Sequence, residues 1–219
     1  MSPIATPVDC PYRAQPGPAP SVKLQKFRAL HQEGQHLVRG WFDRAYGTQG
    51  DDAECFEAFI FGWFAVNGWA ACVTGQDGDA QYISALGRSP ELREQFQSLL
   101  ARDDEFSRVA RAFHSLWPIF KAQDIRRGGH HVPVNLDRAG IIQHYLTAGL
   151  NVYAPKCWSY HQAAEEPVPL DWPHTLAAIY RVRCNLFHGE KSAHSEMDQI
   201  IVLAAYRVLI GFFRGARIL

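Results

Sequence analysis

The chain has 219 residues, of which 47% are hydrophobic, so it is long and apolar enough to fold as one domain around its own core. The 22 basic and 22 acidic side chains cancel, which excludes a protein that coats DNA through its overall charge. The five cysteines contain no Cys-x-x-Cys pair, which indicates reduced thiols in a cytoplasmic protein and gives no sign of a zinc or redox site.

The N-terminal residues 1–20 are dominated by proline and small side chains and have neither the basic patch nor the apolar stretch of a signal peptide. We expect them to form a disordered or loosely packed arm that precedes one domain over residues 21–219. Within that domain, apolar side chains recur at intervals of three and four from Ser21 to Tyr46, which predicts an amphipathic helix.

The segment Cys55–Val73 is strongly apolar and approaches the about 20 residues that are needed to span a bilayer. The charged Glu57, the polar Asn67 and two glycines argue against a membrane span. A helix that is apolar on all sides can equally be the central helix of a soluble bundle, and this interpretation is favoured. No membrane partner is therefore predicted, and Trp63, Trp69 and Asn67 are expected in the core, with the Asn67 amide hydrogen-bonded inside.

Two helices are predicted to follow this apolar segment. Ser89 and Pro90 form a typical helix start, because serine caps the first turn and proline suits the first helical position. The next helix is predicted to run from Asp103 or Asp104 to about Trp117, where the following proline disturbs it.

The C-terminal half continues with helical patterns. Residues 137–152 are helical in period, and residues 154–172 read as a proline-rich connection. Two closing helices are predicted, one over residues 173–188 that ends at Gly189 and one that starts near Ser192. No strand-like alternation persists, so the predicted fold class is an all-α helical bundle.

The segment 183–189, with the sequence RCNLFHG, combines an arginine, an amide and an imidazole at the end of a predicted helix. An imidazole titrates near neutral pH, and a guanidinium stays charged and matches the oxygens of a phosphate. Successive helical residues turn by about 100°, so Asn185 shares a face with His188, whereas Arg183 is offset by about 140°. Arg181 lies almost directly beneath His188, and both arginines are candidates for the cation of the site.

Arg183 followed by four residues and His188 resembles the Arg-x4-6-His signature of the HEPN superfamily, the higher eukaryotes and prokaryotes nucleotide-binding domains. The upstream segment 63–70 and the glycine that ends the motif are also similar to the layout of standalone bacterial HEPN proteins. The resemblance covers most of residues 21–219 and implies a HEPN-like helical bundle with additional helices. One departure is that Cys184 follows the arginine directly, where the family usually has a polar residue.

This resemblance implies a homodimer in which two motifs meet in one cleft for single-stranded RNA. It further implies a metal-independent endoribonuclease without cofactors, in which the ribose 2′-hydroxyl attacks the adjacent phosphorus and leaves a 2′,3′-cyclic phosphate. His188 would move the proton and Arg183 would stabilise the phosphoryl charge, with Asn185 and Arg181 in supporting roles. Such a protein would be a toxin or an anti-phage defence effector with a possible antitoxin or regulatory partner.

Two alternatives to this function remain open at the level of sequence. One is a non-catalytic HEPN module that binds RNA, a nucleotide or a partner protein through the same cleft. The other is that His188 merely caps its helix and Arg183 pairs with an acidic side chain on the surface.

A second basic segment lies at residues 121–131. Arg126 and Arg127 are predicted to contact RNA phosphates, with a solvated loop as the alternative. His130, His131 and His144 are conceivable zinc ligands, but no cysteine or carboxylate spacing supports them, so no metal site is predicted here.

Overall fold

The computed structural model of the protein describes Cys10, Tyr12 and residues 22–48, 54–123, 136–149 and 152–219. Within these residues it has ten helices and one two-stranded sheet, which confirms the all-α prediction. The elements in chain order are α1 (Gln25–Arg28), α2 (Gln32–Gly47), α3 (Cys55–Thr74), α4 (Asp79–Arg88), α5 (Pro90–Arg102), α6 (Asp104–His114), β1 (Ile119–Phe120), α7 (Arg138–Thr147), β2 (Tyr153–Ala154), α8 (Trp158–Ala163), α9 (Trp172–Phe187) and α10 (Glu196–Gly215).

The apolar helix α3 packs against α2, α4 and α10. Its residues Trp63 and Trp69 are each only 1% exposed, which confirms their predicted place in the core. At Gly62 an added Cβ would lie 3.1 Å from Ile210 Cδ1, so glycine lets α10 approach closely. Of the helices described, α3 alone is long and apolar enough to cross a membrane, and half of its most apolar window is buried in the protein.

Side-chain caps set the helix starts that the sequence indicates. Ser89 Oγ accepts from the Leu92 amide at 3.4 Å, with Pro90 in the first turn of α5. Asp103 Oδ1 accepts from the Phe106 amide at 2.9 Å at the start of α6. These bonds satisfy amide groups that have no partner within the helix. Both predicted starts are confirmed.

The predicted helix over residues 21–46 is divided in the structure into α1 and α2. His31 has an extended backbone, and its Nδ1 accepts from the Glu33 amide at 3.4 Å to cap α2. Gln35 Nε2 donates to the Leu30 carbonyl at 2.8 Å across the break. Local side-chain caps therefore interrupt a hydrophobic pattern that continues through the break.

The predicted helix over residues 137–152 ends earlier, at Thr147. Gly149 follows with a φ of +64°, a left-handed conformation that glycine adopts without strain. The chain then enters β2, which pairs antiparallel with β1 so that Phe120 lies opposite Tyr153. The predicted connection that follows contains the short helix α8.

The helices α5, α9 and α10 meet in an aromatic cluster of Phe96, Trp172 and Phe212. The ring centroids of Trp172 and Phe212 lie 4.4 Å apart, and Phe96 lies 5.9 Å from Trp172 and 5.4 Å from Phe212. Trp172 Nε1 also donates to the Leu86 carbonyl at 2.9 Å, which ties the start of α9 to α4. This packing fixes the helix that carries the sequence motif.

Candidate functional site

The Arg–His motif lies at the C-terminal end of α9. The helix starts where Asp171 Oδ1 accepts from the His174 amide at 3.1 Å, and it ends at Phe187, with His188 as the capping residue. Gly189 has a φ of +69°, which matches its predicted role as the residue that ends the helix. The observed span Trp172–Phe187 agrees with the predicted one within one residue.

Arg183 is held by a carboxylate and by aromatic rings. Its Nη2 lies 2.6 Å from Asp79 Oδ2 at the start of α4, and the side chain is 20% exposed. The guanidinium carbon lies 4.7 Å from the centroid of Phe187, 5.7 Å from that of Trp63 and 6.0 Å from that of Tyr180. Planar guanidinium groups are attracted to aromatic faces, so these contacts restrict where the charge can move.

A short polar network holds Asp79 in turn. The Tyr82 hydroxyl donates to Asp79 Oδ1 at 2.9 Å and also contacts Asn67 Oδ1, which confirms the predicted internal hydrogen bond of Asn67. Burial and the bond to Asp79 raise the pKa of Tyr82, so its hydroxyl remains a donor at neutral pH. The carboxylate that orients Arg183 is therefore itself anchored to α3 and α4.

His188 lies on the surface at the end of α9. Its amide donates to the Cys184 carbonyl at 3.1 Å, and the residue is exposed. No hydrogen bond or ion pair of its imidazole to another described residue is present. His188 directly follows Phe187 in the chain, and the Phe187 ring contacts the Arg183 guanidinium. The structure thus provides a solvent-accessible acid–base group at the end of the same helix as a fixed cation.

Asn185 is buried and only 3% exposed, unlike its neighbour His188. Its Nδ2 donates to the Phe120 carbonyl at 2.7 Å, and its Oδ1 accepts from the Ala122 amide at 3.2 Å. Both ends of the amide therefore join α9 to the segment around β1. The supporting role that we predicted for Asn185 acts, in this geometry, on the fold of the site and not on a ligand.

Arg181 lies on the opposite side of α9 from Arg183, since residues two apart on a helix differ by about 200°. It lines a pocket of about 480 Å³ between α4, α9 and the segment around β2. None of the described residues that line the pocket is acidic. Its lining includes four cationic side chains and three tyrosines: Arg88, Arg93, Lys156 and Arg181, with Tyr12, Tyr153 and Tyr180.

Two of the cations of this basic pocket, Arg93 and Arg181, differ in how they are held. Arg93 donates to the Gly87 carbonyl at 2.9 Å and to the Tyr12 carbonyl at 3.3 Å. Arg181 Nε is buried and has no hydrogen-bond partner in the part of the chain that the structure describes. Burial raises the pKa of Tyr12 to about 12, so its hydroxyl stays neutral beside these charges. The arrangement leaves positive charge available to an anionic ligand.

Four potential metal ligands also lie together, near the start of α9. They are the buried side chains of Cys10, Cys157, His161 and His174. None of the five cysteines, all of which lie among the described residues, forms a disulfide bond. Sequence reasoning missed this cluster, because Cys10 and His174 are 164 residues apart in the chain. The available signal was local: Cys157 and His161 stand four apart, and His174 follows soon after.

Of the other residues predicted to bind RNA or a metal, only His144 is among the described residues, and it belongs neither to the Arg–His motif nor to the basic pocket. Arg126, Arg127, His130 and His131 lie outside the described residues. His144 lies in α7, where its ring packs against Tyr145 with a centroid distance of 6.0 Å. The three other cations of the basic pocket were missed, because they come from separate segments without a common spacing.

No protein-family model, curated protein or solved structure matches the chain. The HEPN resemblance therefore rests on the motif and the order of the helices.

We expect Asn185→Ala to lower the free energy of unfolding by about 2–4 kcal/mol. The substitution leaves the Phe120 carbonyl and the Ala122 amide without their partner, and each of these half-buried groups is expected to cost about 1–2 kcal/mol, in the lower part of the range for unsatisfied groups. Urea unfolding followed by circular dichroism measures the loss. His194→Ala, an exposed histidine beyond the motif, serves as the control and should change stability by less than about 0.5 kcal/mol. Equal stability of Asn185→Ala and the control would contradict the anchoring role.

Proposed function

We propose that the protein is a metal-independent endoribonuclease whose catalytic groups are Arg183 and His188. The observation that carries the proposal is that an exposed imidazole and an anchored guanidinium lie five residues apart near the C-terminal end of α9. A phosphodiester needs proton transfer and charge stabilisation to break, and these two groups supply both. We further propose that it acts in the cytoplasm as a toxin or defence effector, restrained by an antitoxin or regulatory partner.

In the proposed reaction, the ribose 2′-oxygen forms a bond to phosphorus as the bond from phosphorus to the 5′-oxygen breaks. The proton of the 2′-hydroxyl passes to a base, and the leaving 5′-oxygen receives a proton from an acid. One imidazole cannot be deprotonated and protonated at once. Two copies of His188 across a symmetric dimer would supply the base and the acid together, which supports a composite site.

Arg183 retains donors for a phosphate while Asp79 holds it. Nη2 is paired with Asp79, whereas Nε is buried without a hydrogen-bond partner among the described residues, so a phosphate would have to reach the remaining Nη donors. A guanidinium has five N–H donors, so phosphoryl oxygens can bind beside the carboxylate. The pair with Asp79 is compatible with a binding role, and it equally fits the alternative in which Arg183 pairs with an acidic side chain and His188 caps its helix.

An exposed apolar patch next to the motif supports dimerisation. It consists of Leu37, Trp41, Phe64 and Phe187 from α2, α3 and α9, and Leu37 is 64% exposed. The ring of Phe64 lies 5.3 Å from that of Trp41 and 6.2 Å from that of Phe187, so the patch is continuous. Exposed apolar surface of this kind is typical of protein interfaces. A dimer through this patch is expected to bring the two motifs close to the symmetry axis, because His188 directly follows Phe187 in the chain.

We expect His188→Ala and Arg183→Ala to lower the rate of single-stranded RNA cleavage by about 10²–10⁴-fold and about 10²–10³-fold, respectively. The assay uses a labelled RNA in magnesium-free buffer and identifies the 2′,3′-cyclic phosphate by mass spectrometry. Arg108→Ala, which removes an exposed arginine far along the chain from the motif, is the matched control and should cut normally.

Arg181→Ala in the same assay decides between the two candidate arginines. A loss confined to Arg181→Ala would move the catalytic cation to the other side of α9. Full activity of both His188→Ala and Arg183→Ala, or cleavage that requires added Mg²⁺, would contradict the proposed chemistry.

Sedimentation velocity tests the dimer. We expect the native protein to sediment as a dimer with an interface of at least about 1,000 Å², and Phe64→Asp to shift it to a monomer, since a buried carboxylate opposes association. Met197→Asp places the same charge on another exposed apolar residue and should remain dimeric. A native protein that is monomeric at micromolar concentration would exclude the composite site.

The basic pocket favours a second candidate, a module that binds an RNA end or a nucleotide without cutting it. Its volume of about 480 Å³ suits a small ligand, and its four cations match the charge of phosphates. A protein of this kind would not need His188 for affinity, which separates it from the nuclease.

Under this second candidate, Arg88→Ala combined with Arg181→Ala should weaken binding of a 5′-phosphorylated RNA oligonucleotide by at least about tenfold, because each charged contact contributes about 1.5–3 kcal/mol. Fluorescence anisotropy measures the dissociation constant, with Arg108→Ala as the control for non-specific charge. Affinity that is unchanged in the double variant and lost in Arg183→Ala would place binding at the motif instead.

A further inference from the structure

Four buried side chains of ligand type converge near the N-terminal end of α9. Cys10, Cys157, His161 and His174 are each no more than 4% exposed, and their potential ligand atoms all lie within 4.8 Å of one another. Cys10 Sγ lies 3.3 Å from His174 Nε2. The four residues come from the N-terminal segment, from α8 with the residue before it, and from α9, so only the folded chain brings them together.

We infer that Cys10, Cys157, His161 and His174 bind one Zn²⁺ ion. Two thiolates and two imidazoles are the ligand set of tetrahedral zinc sites, with bonds of about 2.3 Å to sulfur and about 2.0–2.1 Å to nitrogen. These bond lengths place a sulfur and a nitrogen of one site about 3.5 Å apart, close to the separation of Cys10 and His174. In such a site two thiolates lie about 3.8 Å apart. The ligand atoms of the cluster lie within 4.8 Å of one another, which exceeds that distance by at most about 1 Å, and small side-chain movements can close the difference.

A carboxylate orients one of the four ligands as a zinc site requires. His174 Nδ1 lies 2.5 Å from Asp171 Oδ1, in hydrogen-bond contact. A histidine that donates from Nδ1 to a carboxylate has its Nε2 free of a proton and available to a metal. Nε2 is the atom that faces Cys10. Asp171 also caps α9, so the start of the helix and the ligand are held by one residue.

The site is structural, because its four ligands come from the protein and all are buried, which leaves no position for a water or a substrate. It is also separate from the Arg–His motif. His174 and His188 stand near opposite ends of α9, about 21 Å apart along the helix at 1.5 Å per residue. The inference is therefore independent of the proposed nuclease, and no step of RNA cleavage passes through the metal.

The metal would hold Cys10, and with it the nearby Tyr12, against the helical domain. It would thereby complete the basic pocket, which Tyr12 lines. Tyr12 lies two residues after Cys10, and its ring packs 4.8 Å from that of His174. Its hydroxyl accepts from the Lys156 amide at 3.3 Å, and its carbonyl accepts from Arg93 at 3.3 Å. Tyr12 thereby forms one wall of the pocket, so loss of the metal should release that wall.

The experiment measures metal in the full chain purified from cells grown with added zinc. Inductively coupled plasma mass spectrometry should find about one Zn²⁺ per chain. Cobalt added to zinc-stripped protein should give the visible absorption of tetrahedral Co²⁺ together with thiolate-to-cobalt charge transfer. Cys157→Ser and His161→Asn should lower the zinc content at least tenfold, whereas the matched controls Cys72→Ser and His194→Asn should retain it.

Cys10→Ser keeps the test decisive if the other variants fail to fold. It changes the N-terminal segment and leaves the helices intact, so it should fold by circular dichroism, lose zinc and lose part of the cobalt charge transfer. Native protein without zinc and without a tetrahedral cobalt spectrum would overturn the inference. Unchanged zinc in Cys10→Ser, or a Cys10–Cys157 disulfide in protein isolated under reducing conditions, would overturn it as well.

Discussion

The burial of α9 is the constraint on which both sites depend. Ile179 and Val182 are fully buried against the core, so the helix cannot rotate without exposing them. Arg181 and Arg183 stand on either side of Val182 and are therefore directed to opposite flanks. One guanidinium lines the basic pocket, and the other meets Asp79. Two arginines that are close in the sequence therefore lie on two separate surfaces of the protein.

The two surfaces differ in how their charge is balanced, although the whole chain carries a formal net charge of zero. At the motif, Arg183 is paired with the Asp79 carboxylate. A phosphate would therefore compete with that carboxylate for the guanidinium or bind beside it. In the basic pocket, the described lining contains no acidic residue. A bound anion would therefore meet uncompensated positive charge in the pocket and a guanidinium already paired with a carboxylate at the motif.

Local rules in the sequence predict the helix starts and the end of α9, because capping by Ser89, Asp103 or Gly189 involves residues only a few positions apart. The break at His31 was missed, since the hydrophobic period continues through it. The sheet and the Asn185 anchor depend on partners that are distant in the chain; Asn185 and Phe120 are 65 residues apart. Sites whose residues come from distant parts of the chain, such as the cysteine and histidine cluster, cannot be recognised from the spacing of residues in the sequence.

The basic pocket is complete only when Tyr12 is held in place, because Tyr12 forms one of its walls. Fixing the backbone of one residue costs about 1–2 kcal/mol, so holding Cys10 and Tyr12 in place costs about 2–4 kcal/mol. The two hydrogen bonds of Tyr12 contribute about 1 kcal/mol each, and the packing of its ring against His174 adds to them. Structural zinc binds with an apparent free energy of about 10–16 kcal/mol in small domains, which is ample to offset that cost. With the ion bound, Tyr12 becomes a fixed wall, and ligand binding in the pocket is then coupled to metal occupancy.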